Sequence, residues 1–266
     1  MRVAILIPAR FESTRYPGKP LAALRGAAGL SKPLVQRTFE AARRVQGASS
    51  IHVVTDDERI AQTAAAFGSS VIMTSLHARN GTERCAEALD ALDDVDLVIN
   101  FQGDALLTPP HFLERLIEAM QVDRTAEVAT LSIRLRPDEV RAMQDEQGAG
   151  RVVGTSVVTD STGRALYFSK RLIPYLPNHA LNAHELSVVK LHIGVYAYRP
   201  EALRRYLAMP PSALELLEGL EQLRFLDASI PIKVVDLEPP PFSLRELNNP
   251  EDVEPIEQAL AAAGLP

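Results

Sequence analysis

The sequence predicts an α/β protein built on a doubly wound, mostly parallel sheet. Residues 2–8 form a short, almost continuous apolar run, as in a strand that is buried on both faces. Further apolar runs alternate with segments of helical spacing along the first half of the chain, which is the pattern of parallel strands joined by crossover helices. Polar loops follow the first and fourth strands, at the sheet edge where ligands bind in such folds.

The first half of the chain provides the parallel part of this sheet. The predicted strands are residues 2–8, 51–54, 71–74 and 97–101. The predicted helices are residues 34–45, a segment that begins at Glu58, residues 81–92 and a segment that begins near Pro110. Thr55-Asp56-Asp57 can cap the helix at Glu58, and proline is tolerated in the first turn of the helix near Pro110.

The second half predicts a smaller antiparallel element laid against the main sheet. Its strands are residues 128–135, 151–160 and 164–169, with a turn at residues 160–163. A helix at 216–226, a strand at 232–235 and a final helix opened by Asn249 and Pro250 complete the chain. We expect a single domain over residues 1–266, with an antiparallel lobe at about residues 128–200.

Composition narrows the possible classes of function. The 266 residues include 28 Lys+Arg and 34 Asp+Glu, a net charge of −6 without a strongly basic stretch, which argues against a nucleic-acid groove. The single cysteine, Cys85, is expected to be a core residue in a reducing compartment. We see neither a signal-peptide pattern nor the roughly 18–20 apolar residues of a membrane span, and we expect a cytoplasmic protein.

The loop that follows the first strand, residues 7–21, is the most informative segment. It concentrates Arg10, Arg15 and Lys19 with the hydroxyl groups of Ser13 and Thr14. Cations and hydroxyl donors in such a loop can hold a polyphosphate, although the loop is neither a P-loop nor a GxGxxG motif. The spacing alone leaves two interpretations open, a polyphosphate site and a solvated basic loop.

The end of the fourth strand carries a second polar segment, residues 100–104. Asp104 could hold Mg²⁺ against phosphate oxygens, since hard cations prefer oxygen ligands. Gly103 would allow a ligand to approach the backbone closely. Taken alone, an ordinary Gly-Asp turn is the better explanation of this segment.

A set of motifs runs along almost the whole chain. Residues 7–21 read IPARFESTRYPGKPL, and the further segments are VTDD at 54–57, GTER at 81–84, QGD at 102–104, LYFSK at 166–170 ahead of Ile173-Pro174, HIGVY at 192–196, LEQLR at 220–224 and PED at 250–252. In these segments the chain resembles the 3-deoxy-manno-octulosonate (KDO) cytidylyltransferases, or CMP-KDO synthetases. The corresponding family forms are close to IPARxxSTRxPGKPL, SGTDR, QGDEP, YFSRxxIP, HxGxY, LEQLR and the end of VDTPED.

This resemblance implies transfer of CMP from CTP to an acidic acceptor, with release of pyrophosphate and with Mg²⁺ as cofactor. The implied catalytic residues are Arg10, Arg15, Lys19 and Asp104. The implied nucleotide contacts are Pro8, Ala9, Arg10, Ser13, Arg15, Lys19, Asn80, Gly81, Thr82, Arg84 and Gln102. The implied acceptor contacts are Gln102, Lys170, Arg171, His192, Tyr196, Glu221 and Gln222, and the implied metal ligands are Asp104 and Asn248. As in the family, we expect the antiparallel lobe at about residues 128–200 to bind the acceptor and to pair two subunits in a homodimer.

The departures from the family motifs fall in the implied site. Asn248 stands where the family has a second metal-binding aspartate, and an amide brings no charge to a cation. Ala105 replaces an acidic residue beside Asp104. Lys170 replaces an arginine of the acceptor pocket, whose planar grip on an anion a lysine does not reproduce. An additional stretch, residues 23–32, lengthens the loop before the first helix.

These departures keep several functions open. KDO or a related sugar acid is the type acceptor, and a small phosphonate such as phosphonoformate is the nearest alternative. A related transferase that uses UTP or GTP would fit residues 7–21, but the segments HIGVY and LEQLR argue against it. A non-catalytic nucleotide-binding protein is a further alternative, motivated by Asn248 and Ala105.

Several charged residues near these motifs are expected to have structural roles. Asp56 and Asp57 are predicted helix caps. Glu215 and Glu218 are predicted to lie on a solvated helix face, and Arg224 could be an ion-pair partner that holds that helix.

Overall fold

A large sheet forms the middle of the computed structural model, which describes residues 1–13, 15–177, 181, 187–242 and 244–265. Within these residues the large sheet has nine strands, and a ribbon of two strands lies apart from it. In chain order the strands are β1 (Val3–Ala9), β2 (Ala23–Arg25), β3 (Ser31–Pro33), β4 (Ser50–Thr55), β5 (Ser70–Met73), β6 (Leu97–Phe101), β7 (Val128–Arg134), β8 (Ser156–Thr159), β9 (Ala165–Ser169), β10 (Lys190–Tyr198) and β11 (Ile232–Leu237).

The order of the large sheet is β11-β7-β10-β6-β1-β4-β5, with β8 paired to β10 and β9 to β8. Four of the six neighbouring pairs along this path are parallel, namely β11–β7, β6–β1, β1–β4 and β4–β5. Strand β10 runs antiparallel to both β6 and β7. The predicted fold class, a mostly parallel sheet with a smaller antiparallel element, is therefore confirmed.

Helices cover both faces of this sheet. They are α1 (Leu34–Ala42), α2 (Glu58–Ala66), α3 (Gly81–Glu87), α4 (Pro110–Val122), α5 (Pro137–Gly148), α6 (Pro200–Ala208), α7 (Ala213–Glu218), α8 (Leu223–Asp227) and α9 (Val253–Ala262). Phe39 of α1, Ile60 of α2 and Phe112 of α4 belong to the core on one face. Cys85 of α3 and Tyr206 of α6 belong to the core on the other face.

Strand β1 shows why the centre of the sheet needs an unbroken apolar run. All seven of its residues are buried. Ile5 and Ile7 pack in the core under α1 and α4, whereas Leu6 packs in the opposite core with Cys85. Successive side chains of a strand point to opposite faces, so both faces must be apolar. Each such burial stabilises the fold by roughly 1.5–3 kcal/mol.

The first turn of α2 confirms one predicted helix cap and corrects the other. The Asp57 carboxylate accepts hydrogen bonds from the backbone N–H groups of Arg59 at 2.9 Å and Ile60 at 3.4 Å, as an N-cap does. Asp56 is not a cap, because its carboxylate accepts a hydrogen bond from Arg84 Nη2 at 2.8 Å. This ion pair ties the end of β4 to α3.

The structure corrects four predicted segments. The helix predicted for residues 81–92 ends at Glu87 and continues as a 3-10 turn, Ala88–Ala91. The strand predicted for 151–160 spans only Ser156–Thr159, after a glycine at φ +76°. The helix predicted for 216–226 is two helices, because Gly219 ends α7 in the left-handed conformation at φ 61°. Residues 23–32, predicted as a loop, contain β2 and most of β3.

The region at about residues 128–200 contributes strands both to the main path of the large sheet and to a hairpin beside it. Strands β7 and β10 belong to the path of the main sheet, whereas β8 and β9 extend it as an antiparallel hairpin from β10. Helix α5, which the sequence did not predict, also lies in this region, and α6 begins at its end. The role of the region in acceptor binding and dimerisation stays a prediction. Among the described residues, each helix is too short or too polar to cross a membrane.

Candidate active site

A cleft of about 800 Å³ opens beyond the carboxyl ends of β1 and β6. Its walls come from the loop after β1, the start of α3, the loop after β6, the middle of β10, the α7–α8 region and residues 244–248. This is the sheet edge at which parallel α/β folds bind ligands. The two polar loops singled out in the sequence therefore meet in one cavity.

Most of the predicted site residues line this cleft. They are Pro8, Ala9, Arg10, Ser13, Arg15, Lys19, Asn80, Gly81, Arg84, Gln102, Asp104, His192, Tyr196, Glu221, Gln222 and Asn248. Three predicted residues do not line it: Thr82, Lys170 and Arg171. Thr14, part of the predicted polyphosphate loop, lies outside the described residues.

The three predicted residues outside the lining have other surroundings. Thr82 is fully buried, and its hydroxyl is hydrogen-bonded to that of Tyr198 at 2.7 Å. The backbone N–H of Lys170 donates to Glu218 at 2.9 Å, and its Nζ lies beside Gly219 at the end of α7. Arg171 is exposed. Their roles in binding stay predictions.

Two cations of the residue 7–21 loop are fixed at one end of the cleft. Lys19 Nζ makes a short ion pair with the Asp104 carboxylate and donates to the Leu247 carbonyl at 2.9 Å. Arg15 Nη2 donates to Asn248 Oδ1 at 2.7 Å. The loop after β1, the loop after β6 and residues 247–248 are thus held together by positive groups that face the cavity. We call this the cationic end of the cleft.

Gly18 gives the residue 7–21 loop its tight shape. Its φ of +73° lies in the left-handed region, and its N–H donates to the Phe11 carbonyl at 2.8 Å. A Cβ atom at this position would lie 3.0 Å from the Phe11 ring. The guanidinium of Arg59 stacks on the same ring, with its carbon 3.3 Å from the ring centre.

The start of α3 forms another part of the cleft wall. Asn80 caps the helix by accepting from the Glu83 N–H at 2.8 Å. A Cβ atom on Gly81 would lie 2.5 Å from Gln102 Nε2 and 3.2 Å from Asn100 Nδ2. Only glycine therefore leaves room for these two amides. Asn100 is fully buried, and neither its Nδ2 nor its Oδ1 has a hydrogen-bond partner in the described part of the chain.

Another part of the cleft, around the Glu221 carboxylate, carries hydrogen-bonding groups, and among the described residues no cation contacts this carboxylate. Glu221 accepts from the Thr82 N–H at 2.8 Å and from Gln102 Nε2 at 3.2 Å. Burial raises the pKa of Glu221, an effect that the hydrogen bonds from Thr82 partly offset. The Gln222 amide accepts from the Tyr196 hydroxyl at 3.0 Å, which leaves Gln222 Nε2 unpaired. We call this the polar end of the cleft.

His192 completes the polar end. Its Nε2 lies 2.9 Å from the Thr130 hydroxyl, and its ring packs edge-on against Phe168 and tilted against Tyr196. The apolar surroundings bury the ring and lower the pKa of His192 to about 3. The imidazole is therefore neutral at neutral pH.

Comparison with known proteins identifies the type of cleft. The family model described as cytidylyltransferase matches residues 4–232. The chain belongs to the cytidylyltransferase family. It is therefore a nucleotidyltransferase, and the enzyme class predicted from the sequence is confirmed.

Individual relatives cover almost the whole of this cytidylyltransferase. A 3-deoxy-manno-octulosonate cytidylyltransferase of Maricaulis maris is 39% identical over 99% of both chains. One from Zea mays is 39% identical over 99% of this chain and 83% of its own length. An 8-amino-3,8-dideoxy-manno-octulosonate cytidylyltransferase of Shewanella putrefaciens is also 39% identical, over 99% of this chain and 100% of its own. A solved structure of CMP:2-keto-3-deoxy-manno-octonic acid synthetase complexed with CTP has 33% identity and a TM-score of 0.84, covering 99% of this chain and 100% of its own.

A buried ion-pair network supports the polar end of the cytidylyltransferase cleft. Arg224 donates to Glu215 at 2.7 and 2.6 Å and to Glu83 at 3.0 Å, and Arg79 pairs with the same Glu83. The prediction that Arg224 holds its helix by an ion pair is confirmed. The prediction that Glu215 is solvated was wrong, because Glu215 is buried against Arg224.

Glu218 likewise has a fixed structural role rather than a solvated one. Its carboxylate accepts from the Ser169 hydroxyl at 2.7 Å and from the Lys170 N–H at 2.9 Å. The side chain therefore ties α7 to the end of β9. The charge pattern of a short helix gave no sign of either tertiary contact.

The sequence missed one acidic residue at the cationic end, Glu246. It lines the cleft next to Asn248 and interacts with the charges of Asp104 and Lys19. Glu246 is exposed to solvent in the cleft, although neighbouring groups crowd its carboxyl group. Burial first, and then the negative charge of Asp104, raises the pKa of Glu246 to about 7, against the lowering effect of Lys19. Its place two residues before Asn248 was the available signal.

The oxygen groups at the cationic end suit a hard cation that shares its coordination with a polyphosphate. Asp104 offers a carboxylate, Asn248 an amide carbonyl and Glu246 a further carboxyl. Mg²⁺ is usually bound by one or two carboxylates together with substrate phosphates and water. Among the residues that the structure describes, no group of three or more His, Cys, Asp or Glu side chains could hold a metal ion by itself.

Proposed function

We propose that this cytidylyltransferase moves CMP from CTP to 3-deoxy-manno-octulosonate or a closely related sugar acid. The observation that carries the proposal is the division of one cleft into a cationic end, with Lys19 and Arg15, and a polar end, with His192 and Glu221. The relatives over the full length of the chain support the same acceptor, since they bear the names of KDO and 8-amino-KDO cytidylyltransferases.

The cationic end is suited to the triphosphate of CTP. Arg10, Arg15 and Lys19 would contact phosphate oxygens and neutralise the charge that develops on the departing pyrophosphate. Asp104 and Asn248 already hold Lys19 and Arg15 at this end of the cleft, and these contacts would be shared with phosphate oxygens and Mg²⁺ when the nucleotide binds. Pro8, Ala9 and residues 80–84 would surround the base.

The polar end is suited to an acceptor rich in hydroxyl groups. Glu221 offers a carboxylate, Gln222 an unpaired amide N–H and His192 a neutral ring. The acceptor hydroxyl would attack the α-phosphorus of CTP in line with the departing pyrophosphate. One P–O bond forms and one breaks, and the hydroxyl proton leaves to solvent. The residues act by orienting both reactants, so no covalent enzyme intermediate is required.

We propose Mg²⁺ as the cofactor, held by Asp104 with the Asn248 carbonyl at the cationic end of the cleft. When bound, the ion would neutralise phosphate charge and stabilise the crowded anionic transition state. Asn248 contributes no charge, so the protein's acidic contribution rests on Asp104 and on Glu246 beside it.

The experiment that tests the proposal is pyrophosphate release with CTP and Mg²⁺ against a panel of acids. The panel contains KDO, 8-amino-KDO, other sugar acids and small phosphonates such as phosphonoformate. We expect release with KDO or its 8-amino analogue. Release only with a phosphonate would overturn the proposed acceptor, and CTP binding without release for any acid would overturn the proposed reaction. UTP and GTP serve as controls for the nucleotide.

Two further properties are proposed with this function. The homodimer expected from the sequence predicts a mass of twice 29.1 kDa in sedimentation or light scattering. The cytoplasmic location and the absence of nucleic-acid binding stay predictions, and cell fractionation and a filter-binding assay would test them.

A further inference from the structure

Strand β10 contains an irregularity directly beside the polar end of the cleft. Ile193 pairs with Leu131 of β7, but the next pair along the ladder is Tyr196 with Thr130. Gly194 and Val195 are therefore extra residues on β10 at this point. A bulge of this kind disrupts the regular ladder and leaves backbone groups that need other partners.

The hydroxyl of Thr130 is a hydrogen-bond partner for these backbone groups. Thr130 Oγ1 lies 2.8 Å from the Val195 carbonyl oxygen, 3.3 Å from the Ile193 carbonyl oxygen and 2.9 Å from His192 Nε2. A hydroxyl has one proton to donate and lone pairs to accept. Both carbonyl oxygens only accept, so the Thr130 proton is committed to the backbone, at the shorter distance to Val195.

This commitment fixes the contact between Thr130 and His192. With its proton directed to a carbonyl oxygen, Thr130 Oγ1 can only accept from His192 Nε2. The burial that lowers the pKa of His192 to about 3 keeps the ring neutral, so it carries a single N–H. That N–H is at Nε2, and the other nitrogen, Nδ1, carries a lone pair.

Nδ1 is the nitrogen that remains for a ligand. In the described residues it has no hydrogen-bond partner, and His192 lines the cleft. The opposite tautomer would place two sets of lone pairs against each other at 2.9 Å, across the Thr130–His192 contact. It would also present an N–H donor to the cleft instead of an acceptor.

We infer that Thr130 is a positioning residue that holds His192 in the Nε2–H tautomer, so that Nδ1 accepts a hydrogen bond from a hydroxyl group of the acceptor. This inference rests on the proposed sugar-acid acceptor. It also assigns an orientation, because a carboxylate oxygen has no proton to give and is repelled by the Nδ1 lone pair. The acceptor must therefore turn a hydroxyl, and not its carboxylate, towards His192.

The tautomer is measured directly by long-range ¹H–¹⁵N NMR on the ¹⁵N-histidine-labelled full chain, without substrate. His192→Gln identifies the signals. We expect a protonated-type nitrogen at Nε2 and an unprotonated-type nitrogen at Nδ1. Protonation at Nδ1 in the wild-type protein would overturn the inference. This readout does not depend on activity, so it stands apart from any failure of the proposed reaction.

Kinetics test the consequence for the acceptor. Thr130→Val keeps the shape of the side chain and removes the hydroxyl, whereas Thr130→Ser keeps the hydroxyl. Loss of one oriented neutral hydrogen bond should raise KM for KDO roughly five- to tenfold in Thr130→Val, with KM for CTP unchanged. Thr130→Ser should restore KM, and the NMR signals of Thr130→Val should show a mixture of tautomers.

A matched control variant separates the effect of the His192 tautomer from the general effect of removing a buried threonine hydroxyl. Thr55→Val removes another fully buried threonine hydroxyl, which accepts from the Asp57 N–H at 3.2 Å and lies outside the cleft lining. We expect its KM values to equal those of the wild type. A folded Thr130→Val variant with wild-type KM for KDO, or an equal rise of KM in Thr130→Ser, would overturn the inference. If no acid supports pyrophosphate release, the proposed reaction fails, and the NMR result alone decides the role of Thr130.

Discussion

Removal of the Arg224 side chain should destabilise the protein strongly, because it breaks a buried ion pair. Arg224 is 2% exposed, and Glu215 and Glu83 are 9% and 5% exposed at their side chains. Desolvated charges are tolerated only while they are paired, and loss of one partner leaves the other uncompensated. Arg224→Met is the appropriate change, since it keeps most of the apolar volume and removes the guanidinium.

The two carboxylates do not suffer equally in Arg224→Met. Glu83 keeps Arg79, which donates from its backbone N–H at 2.7 Å and from its side chain at 2.6 and 3.0 Å. Glu215 keeps only long hydrogen bonds, from the Ser212 N–H at 3.3 Å and the Tyr206 hydroxyl at 3.4 Å. One buried carboxylate is therefore left without a cation. The expected loss in free energy of unfolding is about 3 kcal/mol, the lower end of the range for a broken buried pair.

Urea denaturation at neutral pH measures this loss. Arg115→Met is the matched control, since the Arg115–Glu118 pair is exposed on α4 and its removal should change stability by less than about 1 kcal/mol. Adding Glu215→Gln to Arg224→Met removes the unpaired charge and should recover part of the loss. A loss below about 1 kcal/mol in Arg224→Met, or no recovery in the double variant, would refute the reasoning.

The pH dependence of stability provides a second test of this ion pair. Burial raises the pKa of Glu83, but hydrogen bonds from Arg79 and Arg224 outweigh it and hold the pKa below its usual range. A lowered pKa in the folded state gives stability that is present above the unfolded pKa and is lost as the pH falls. The difference in free energy of unfolding between the wild type and Arg224→Met should therefore become smaller at acidic pH.

Three further predictions concern the cationic end of the cleft. Because the pKa of Glu246 is raised to about 7, the wild type loses stability as the pH rises through that value. Relative to the wild type, Glu246→Gln should therefore be more stable at about pH 8 than at about pH 5, and thermal unfolding at the two pH values measures this. Asn248→Asp adds a carboxylate and should lower the Mg²⁺ concentration for half-maximal pyrophosphate release, whereas Asn249→Asp, outside the cleft lining, should not. Lys19→Met should lower kcat roughly 10²- to 10³-fold in the same assay, and an unchanged kcat would remove Lys19 from the catalytic residues.

The cleft could be predicted from the sequence where strand order decided it. Residues 7–21 and Asp104 follow strands that are neighbours in the parallel sheet, so the edge rule for such sheets placed them together. The family motifs added His192 and Glu221, and both line the same cavity. These parts depend on local pattern and on sheet topology, which the sequence carries.

Other parts depend on tertiary contacts that leave no local signal. A threonine in an apolar strand gave no indication that Thr130 bonds His192, because the contact arises from a bulge on the neighbouring strand. Glu215 resembled a solvated helix residue until Arg224 was placed against it. The break between α7 and α8 depends on the left-handed conformation of Gly219, and the charged residues around it obscured that glycine.

Glu221 and Lys170, two of the acceptor contacts that the resemblance implies, differ in how closely they are tied to the rest of the cleft. The two carboxylate oxygens of Glu221 accept from the Thr82 N–H at the start of α3 and from Gln102 Nε2 after β6, and both elements line the part of the cleft that we propose for the nucleotide. We therefore expect a change at Glu221 to disturb the proposed nucleotide site as well. Lys170 differs, because its backbone groups bond to Glu218 of α7 and Gln147 of α5 while its side chain lies outside the cleft lining. We therefore expect the lysine that replaces the family arginine at position 170 to leave the contacts of Glu221 unchanged and to affect the proposed acceptor site only from outside the cleft lining.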